Sequence, residues 1–271
     1  MTGRCATGQR GITVEKKTLY MLIAVAVGLL LFKYGYYKKI RTDIAQRTPS
    51  HSSLIVGTNA EYPPYTFIQN NTIVGFDIDI INEVARRLDK EIELKDMPFD
   101  ALIPEIQMGT IDVIAAGITA TPEREKHVFF SQPYLSNDPL VIVSKAQNAF
   151  ENIDALNSKT VIVNDGFTAD AYVAGLKGVS VTRLPTLSEA LLALETDRGD
   201  AFITANTPLV PYFEKHGKKN FHVASIPNTE QTTSLAVSKK NPALLEEIKR
   251  VIAEMLTDGT IDSYKKKWKL G

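Results

Sequence analysis

The sequence predicts an α/β protein with a largely parallel sheet, and two observations carry that prediction. Short β-branched runs such as "LIVGT", "IDVIAAG" and "KTVIVND" alternate with segments whose apolar residues recur at helical spacing. The second half then repeats the order of the first. "DALIPEIQMGTIDVIAAG" and "SEALLALETDRGDAFITAN" both run helix, glycine, aspartate and apolar strand, as two lobes of one design would.

Taken in order, the chain begins with a basic segment, residues 1–18. It is followed by an uncharged apolar run from Leu19 to Phe32, preceded by Arg10, Lys16 and Lys17. That is the layout of a secretory signal, although the run is shorter than the roughly 20 residues of a comfortable membrane span. "KYGYYKKIR" follows in place of a small-residue cleavage site, and no later cysteine could accept a lipid. We therefore read residues 19–37 as an uncleaved anchor in preference to a removed signal. Residues 38–53, with "RTDIAQRTPSHSS", read as a polar linker.

The folded part starts at "LIVGTNA". A strand, a hairpin around "QNNT" and a helix from Asp77 to about Leu88 come first. Asp77 is expected as the N-cap of that helix, with Ile78, Ile81, Val84 or Ala85, and Leu88 facing the core. Capping and exposure explain Asp77 and Asp79 without a metal. Strand "EIELKDM", helix "FDALIPEIQMG" and strand "IDVIAAG" complete the first region. The second region reads "KTVIVND", "TADAYVAGL", "VSVTRL", "LSEALLALETDRG", "DAFIT", "TPLVPYFEKHG" and "FHVASI", strand and helix in turn. Strand "TSLAVSK" precedes a long amphipathic helix capped by Asn241, with Pro242 at its first position and Gly259 placed to stop it. A basic terminal segment, "IDSYKKKWKLG", ends the chain.

Composition narrows the function. Lys plus Arg and Asp plus Glu both total 31, so no net charge points to nucleic acid. The single cysteine, Cys5, precedes the apolar run, which removes disulfides, cysteine zinc sites and a cysteine nucleophile from the folded region. His51, His127, His216 and His222 form no metal-binding pattern, and no Gly-rich phosphate cradle is present. No metal and no cofactor are expected.

Several long motifs occur together and in order: "VGTNAEYPPYTF", "IVGFDIDIINEVARRL", "FDALIPEIQMGTIDVIAAGITATPERE", "FFSQPY" and "LTDGTIDSYKKKW". Over about Leu54 to Leu270 the chain resembles the amino-acid-type solute-binding proteins of ABC importers, extracellular solute-binding protein family 3. The resemblance implies a two-lobed periplasmic binding protein fold of type II, its lobes joined by two hinge strands. It implies lobe one from 54–141 plus 236–271 and lobe two from 145–232, with hinges near "VIVSK" and "TSLAVSK". It also implies a small amino acid or related carboxylate as ligand, an ABC permease as partner and a monomer in the periplasm, here tethered by its N-terminal segment.

The candidate site is a cleft at the carboxyl ends of strands. Arg124 offers a fork of donors that fits a carboxylate, and the loop "GIT" adds backbone N–H groups at Gly117 and the Thr119 hydroxyl. Thr121 and Pro122 read as the cap and first turn of a short helix. The bland alternative is a surface Arg124 paired with Glu123 or Glu125. By resemblance, Tyr62 and Phe99 sandwich the ligand side chain, Asn59 stands where some relatives carry an acid, and Gly166 and Thr168 grip the ligand carboxylate from the second lobe. Relatives also place an acid for the ligand's α-ammonium where this chain has Ala205. Asn206, Thr204 and Asp165 are the candidates to replace it. Two further readings are a dehydratase on the same fold, with Glu61 or Asp165 as general acid, and an anchored sensor with altered binding.

Overall fold

The structure, a computed structural model, describes residues 53–270. The basic N-terminal segment, the apolar run and all but the last residue of the linker lie outside the described residues. Among the described residues no helix is long and apolar enough to cross a membrane.

The chain opens with β1 (Leu54–Thr58) and a three-stranded meander, β2 (Glu61–Tyr62), β3 (Thr66–Gln69) and β4 (Thr72–Val74). Then come α1 (Phe76–Arg87), β5 (Ile92–Asp96), a 3-10 turn at Phe99–Ala101 leading into α2 (Leu102–Met108), β6 (Val113–Ile114), α3 (Pro122–Glu125) and β7 (Val128–Phe130). Strand β8 (Leu135–Asp138) leads into a second set: β9 (Leu140–Lys145), β10 (Thr160–Asn164), α4 (Thr168–Ala174), β11 (Ser180–Leu184), α5 (Leu187–Glu195), β12 (Ala201–Ala205), α6 (Leu209–His216) and β13 (Phe221–Ser225). Strands β14 (Gln231–Thr233) and β15 (Ala236–Ser238) return to helices α7 (Pro242–Thr257) and α8 (Thr260–Lys267).

Two five-stranded sheets result, ordered β5-β1-β6-β15-β7 and β11-β10-β12-β9-β13. In each, three strands run parallel and the last two are antiparallel to their neighbours, so one topology is used twice. The fourth strand of the first sheet, β15, comes from beyond the second sheet in sequence. The first lobe is thus closed by the chain's far end.

The two segments that pair between the sheets are β8 and β14, antiparallel, with Asp138 opposite Gln231. The sequence places the hinges one strand later, near "VIVSK" and "TSLAVSK". Val141, Ile142 and Val143 of the first are fully buried, and that apolar run takes β9 into the second sheet between β12 and β13. Ser136 and Asn137, in the preceding β8, are exposed.

One core surrounds the first sheet, where α1 supplies Phe76, Ile80, Ile81 and Val84 and α7 supplies Leu244, Ile248, Val251, Ile252 and Met255. Fully burying one such aliphatic side chain is worth about 1.5–3 kcal/mol. The second sheet has a core on each face, Ile162 and Phe202 in one, Val161, Val163 and Ile203 in the other. Asn241 caps α7 by accepting from Leu244 N–H at 3.1 Å, and Pro242 stands at the first helical position.

Three local differences from the sequence reading have physical causes. Helix α1 is capped by Gly75 and starts at Phe76, so Asp77 lies in its first turn and is fully buried. Asp79 accepts from the Trp268 indole at 2.6 Å and pairs with Lys267 at 2.7 Å. The basic terminal segment is therefore a helix, α8, docked on α1 through that aspartate.

Candidate functional site

The ten candidate residues all lie at or just beyond the carboxyl ends of parallel strands, where open α/β sheets present loops to ligands. Asn59 and Tyr62 follow β1, Phe99 follows β5, and Gly117, Thr119 and Arg124 follow β6. Gly166 and Thr168 follow β10, Ala205 ends β12, and Asn206 follows it.

Arg124 is turned inward by its one-turn helix, whose cap is Thr121 accepting the Arg124 N–H at 3.2 Å. Its side chain joins the two lobes. Nη1 donates to the Thr119 carbonyl at 2.8 Å and Nη2 to the Gly166 carbonyl at 2.9 Å, while the guanidinium carbon lies 5.2 Å from the Phe99 ring centre. Only 8% of the residue is exposed, and burial pulls its pKa down to about 10. Glu123 pairs instead with Lys126 and His127, so the surface-pairing alternative does not hold. Among the described residues Arg124 makes no ion pair. Carbonyl dipoles and an aromatic face offset a buried charge, an arrangement that costs free energy.

The loop beside Arg124 is pinned from below. Gly117 N–H donates to Asp77 Oδ2 at 2.7 Å, and burial pushes the Asp77 carboxyl up to about 7. Gly117 has φ 64°, and a Cβ there would meet the Tyr65 ring at 3.1 Å. Both the backbone and the close aromatic packing require glycine.

Tyr62 and Phe99 do flank a third group, and that group is Phe167 of the second lobe. Its ring centre is 4.1 Å from Phe99 at 29° and 4.9 Å from Tyr62 at 58°, while Tyr62 also stacks on Tyr65 at 5.7 Å. Each such pair contributes about 0.5–1.5 kcal/mol beyond its buried area. Phe167 therefore packs with the first lobe's core rather than with either core of its own sheet. At the neighbouring Gly166, a Cβ would stand 3.0 Å from Asp100 Cβ across the interlobe seam.

Gln231, on the returning strand β14, is a residue that the sequence does not single out. Its Oε1 accepts from the Thr168 hydroxyl at 2.7 Å and from the Thr119 hydroxyl at 3.3 Å, so one side chain on β14 joins a threonine after β6 to one after β10. Asp138, opposite it, is buried and accepts from Tyr65 Oη at 3.0 Å and Thr207 N–H at 2.9 Å. Burial raises the Asp138 pKa.

Several candidates stand apart from this seam. Asn59 is buried and donates to the Met97 carbonyl at 3.2 Å, which fixes the loop after β5. Asp165 and Glu61 are exposed. Asn206 bonds the Pro139 carbonyl through its N–H at 3.0 Å and lines an outer, hinge-side groove with Pro64, Pro211 and Trp268. Ala205 and Thr204 line an inner cavity of about 10 Å³ together with Tyr62, Asn164, Phe167 and Thr168. Among the described residues no group of three or more His, Cys, Asp or Glu is placed to hold a metal ion.

Comparison with known proteins gives this geometry a family. The arginine-binding extracellular protein ArtP of Bacillus subtilis is 28% identical over 94% of this chain and 99% of its own length. The ABC transporter glutamine-binding protein GlnH of the same organism is 32% identical over 72% of each chain. A solved structure of an ancestral arginine-binding protein bound to arginine is 36% identical, with a TM-score of 0.74, and covers 80% of this chain and 98% of that one. Residues 54–271 match the bacterial extracellular solute-binding proteins, family 3, and the chain belongs to that family.

Proposed function

We propose that the protein binds an amino acid between its lobes, 54–141 with 236–271 and 145–232, and delivers it to an ABC import permease. Arg124 carries this reading: it is a buried guanidinium at the interlobe seam with carbonyl partners and no acid. A ligand carboxylate supplies the missing anion, and Thr119, Gly166 and Thr168 flank it. The relatives that bind arginine and glutamine support an amino acid as the ligand class.

The inner cavity is far smaller than an amino acid, so the ligand enters when the lobes part and Phe167 leaves the slot between Tyr62 and Phe99. Contacts made from both lobes exist only after closure, and that differential affinity drives the lobes shut. Binding rather than catalysis is favoured by the relatives, which are binding proteins of transporters. We further propose a monomer acting outside the cytoplasmic membrane and tethered by residues 19–37.

Calorimetry of the full chain against a panel of amino acids, led by L-arginine and L-glutamine, tests the reading. Saturable binding of one or a few members is expected. No heat with any amino acid, or turnover of a small carboxylate, would overturn it.

A further inference from the structure

The acid that the family resemblance places at Ala205 is absent, and the described residues around it supply a different group. Asn164 ends β10 and is 2% exposed. Its Nδ2 donates to the Leu184 carbonyl at 3.2 Å, which fixes the amide's orientation and turns Oδ1 the other way. That Oδ1 is buried and accepts no hydrogen bond. Burying an acceptor without a partner costs about 1–3 kcal/mol, so the orphan oxygen is unlike ordinary core chemistry.

The same residue lines the 10 Å³ cavity with Thr204, Tyr62, Thr168 and Ala205. A cavity of roughly 10–15 Å³ holds one water-sized group, and an ammonium is close to that size. Continuing the parallel register of β10 and β12, Ile162 beside Phe202, brings Asn164 beside Thr204. Thr204 is buried, and its hydroxyl faces the Tyr62 hydroxyl. Behind Tyr62 stacks Tyr65, whose hydroxyl donates to the buried Asp138 carboxylate. Asp138 makes no ion pair among the described residues, and its charge acts on Tyr62, as does that of Arg124.

We infer that Asn164 Oδ1 and the Thr204 hydroxyl form the subsite for the ligand's α-ammonium, with Asp138 supplying negative potential through the Tyr65–Tyr62 stack. The inference deepens the reading of the protein as an amino-acid binder and rests on it. Neutral acceptors replace the direct ion pair. The expected consequence is that a ligand retaining its amine binds better than its desamino counterpart, though by less than a direct carboxylate contact would allow.

The test is calorimetry of the full chain with L-arginine and L-glutamine and with their desamino counterparts, 5-guanidinopentanoate and glutaramate. Wild type is expected to prefer an amino acid over its desamino form by roughly tenfold, the worth of one hydrogen bond to a charged group. Asn164→Leu is expected to weaken the amino acid about tenfold and leave the desamino form within about twofold. Thr204→Val serves as the second variant, with a smaller loss confined to the amine-bearing ligand. If an amino acid binds wild type and both variants equally well, or if either variant weakens both ligand forms alike, the subsite is wrong while the binder stands. If no amino acid binds wild type, the functional reading and the subsite fall together.

Discussion

The two ends of the cleft are built by opposite means. At one end a full charge, Arg124, is buried with only carbonyls and the Phe99 ring against it. At the other, the described groups around Ala205 are neutral, and the unmet demand is one acceptor oxygen on Asn164. A buried cation without an acid is costly, and a buried acceptor without a donor is costly too. The first cost is larger, so the carboxylate end should dominate affinity and the amine end should tune it.

The sharpest way to break that comparison is Arg124→Met, which keeps the side chain's apolar length and removes its charge. Truncating one partner of a buried charge pair costs about 2–5 kcal/mol, so the amino acid's affinity should fall roughly thirtyfold or more by calorimetry. A loss no greater than that of Asn164→Leu would put the two ends on an equal footing and reverse the ranking proposed here.

A smaller effect is expected where the lobes touch. Gly166 has φ 73°, and a Cβ there would sit 3.0 Å from Asp100 Cβ. Gly166→Ala incurs the left-handed penalty of about 1–2 kcal/mol in either lobe arrangement and adds the Asp100 contact only when the lobes close. Thermal stability should drop from the first cause, and ligand affinity should drop about 5- to 30-fold if the second is comparable in size. Adding Asp100→Gly should recover part of the affinity but not the stability. Unchanged affinity in Gly166→Ala would show that the seam is looser than the clamp requires.

How much of the molecule is legible in its sequence follows the same division. Arg124 stands out through the resemblance carried by "GITATPERE"; as a lone cation after an apolar strand it reads as readily as a surface arginine. The alternation of elements and the doubled topology are legible because both rest on periodicity. Asn164 is not, since it reads only as part of the strand "KTVIVND", and only tertiary packing shows which of its amide atoms lacks a partner. Gln231 gives no signal either: its role needs two threonines, 63 and 112 residues away in sequence, to converge on one oxygen. Phe167 is not singled out by the sequence, and the core it enters belongs to the other lobe. Asp77 reads as a cap, but the cap is Gly75, and a cap two residues earlier turns that carboxylate inward.

Asp77 also supplies the mildest test, because it props the clamp without touching a ligand. Its carboxyl is raised from an ordinary 3.8 to about 7 by burial, so the folded protein holds that proton more tightly than the unfolded chain does. Across pH 4 to 7 the folded state therefore binds more protons, and linkage makes stability fall as pH rises through this window. A tenfold difference in proton affinity between the folded and unfolded states is worth roughly 1.4 kcal/mol. Glu83 works in the opposite sense and elsewhere on the scale. Held down to about 2 by Arg86 and Arg87, it contributes stability above its ordinary 4.5 that is lost as pH falls toward 2. Asp77→Asn keeps an acceptor for Gly117 N–H and removes the titration. Thermal unfolding from pH 4 to 8 should show the wild-type melting temperature declining more steeply than the variant's, with ligand affinity at pH 5 changed no more than a few-fold. Parallel pH profiles would mean that Asp77 stays ionised in the folded protein. The loop carrying "GIT" would then rest on a fixed negative charge, and the contrast between a charged and a neutral end would have to include the ground beneath Arg124.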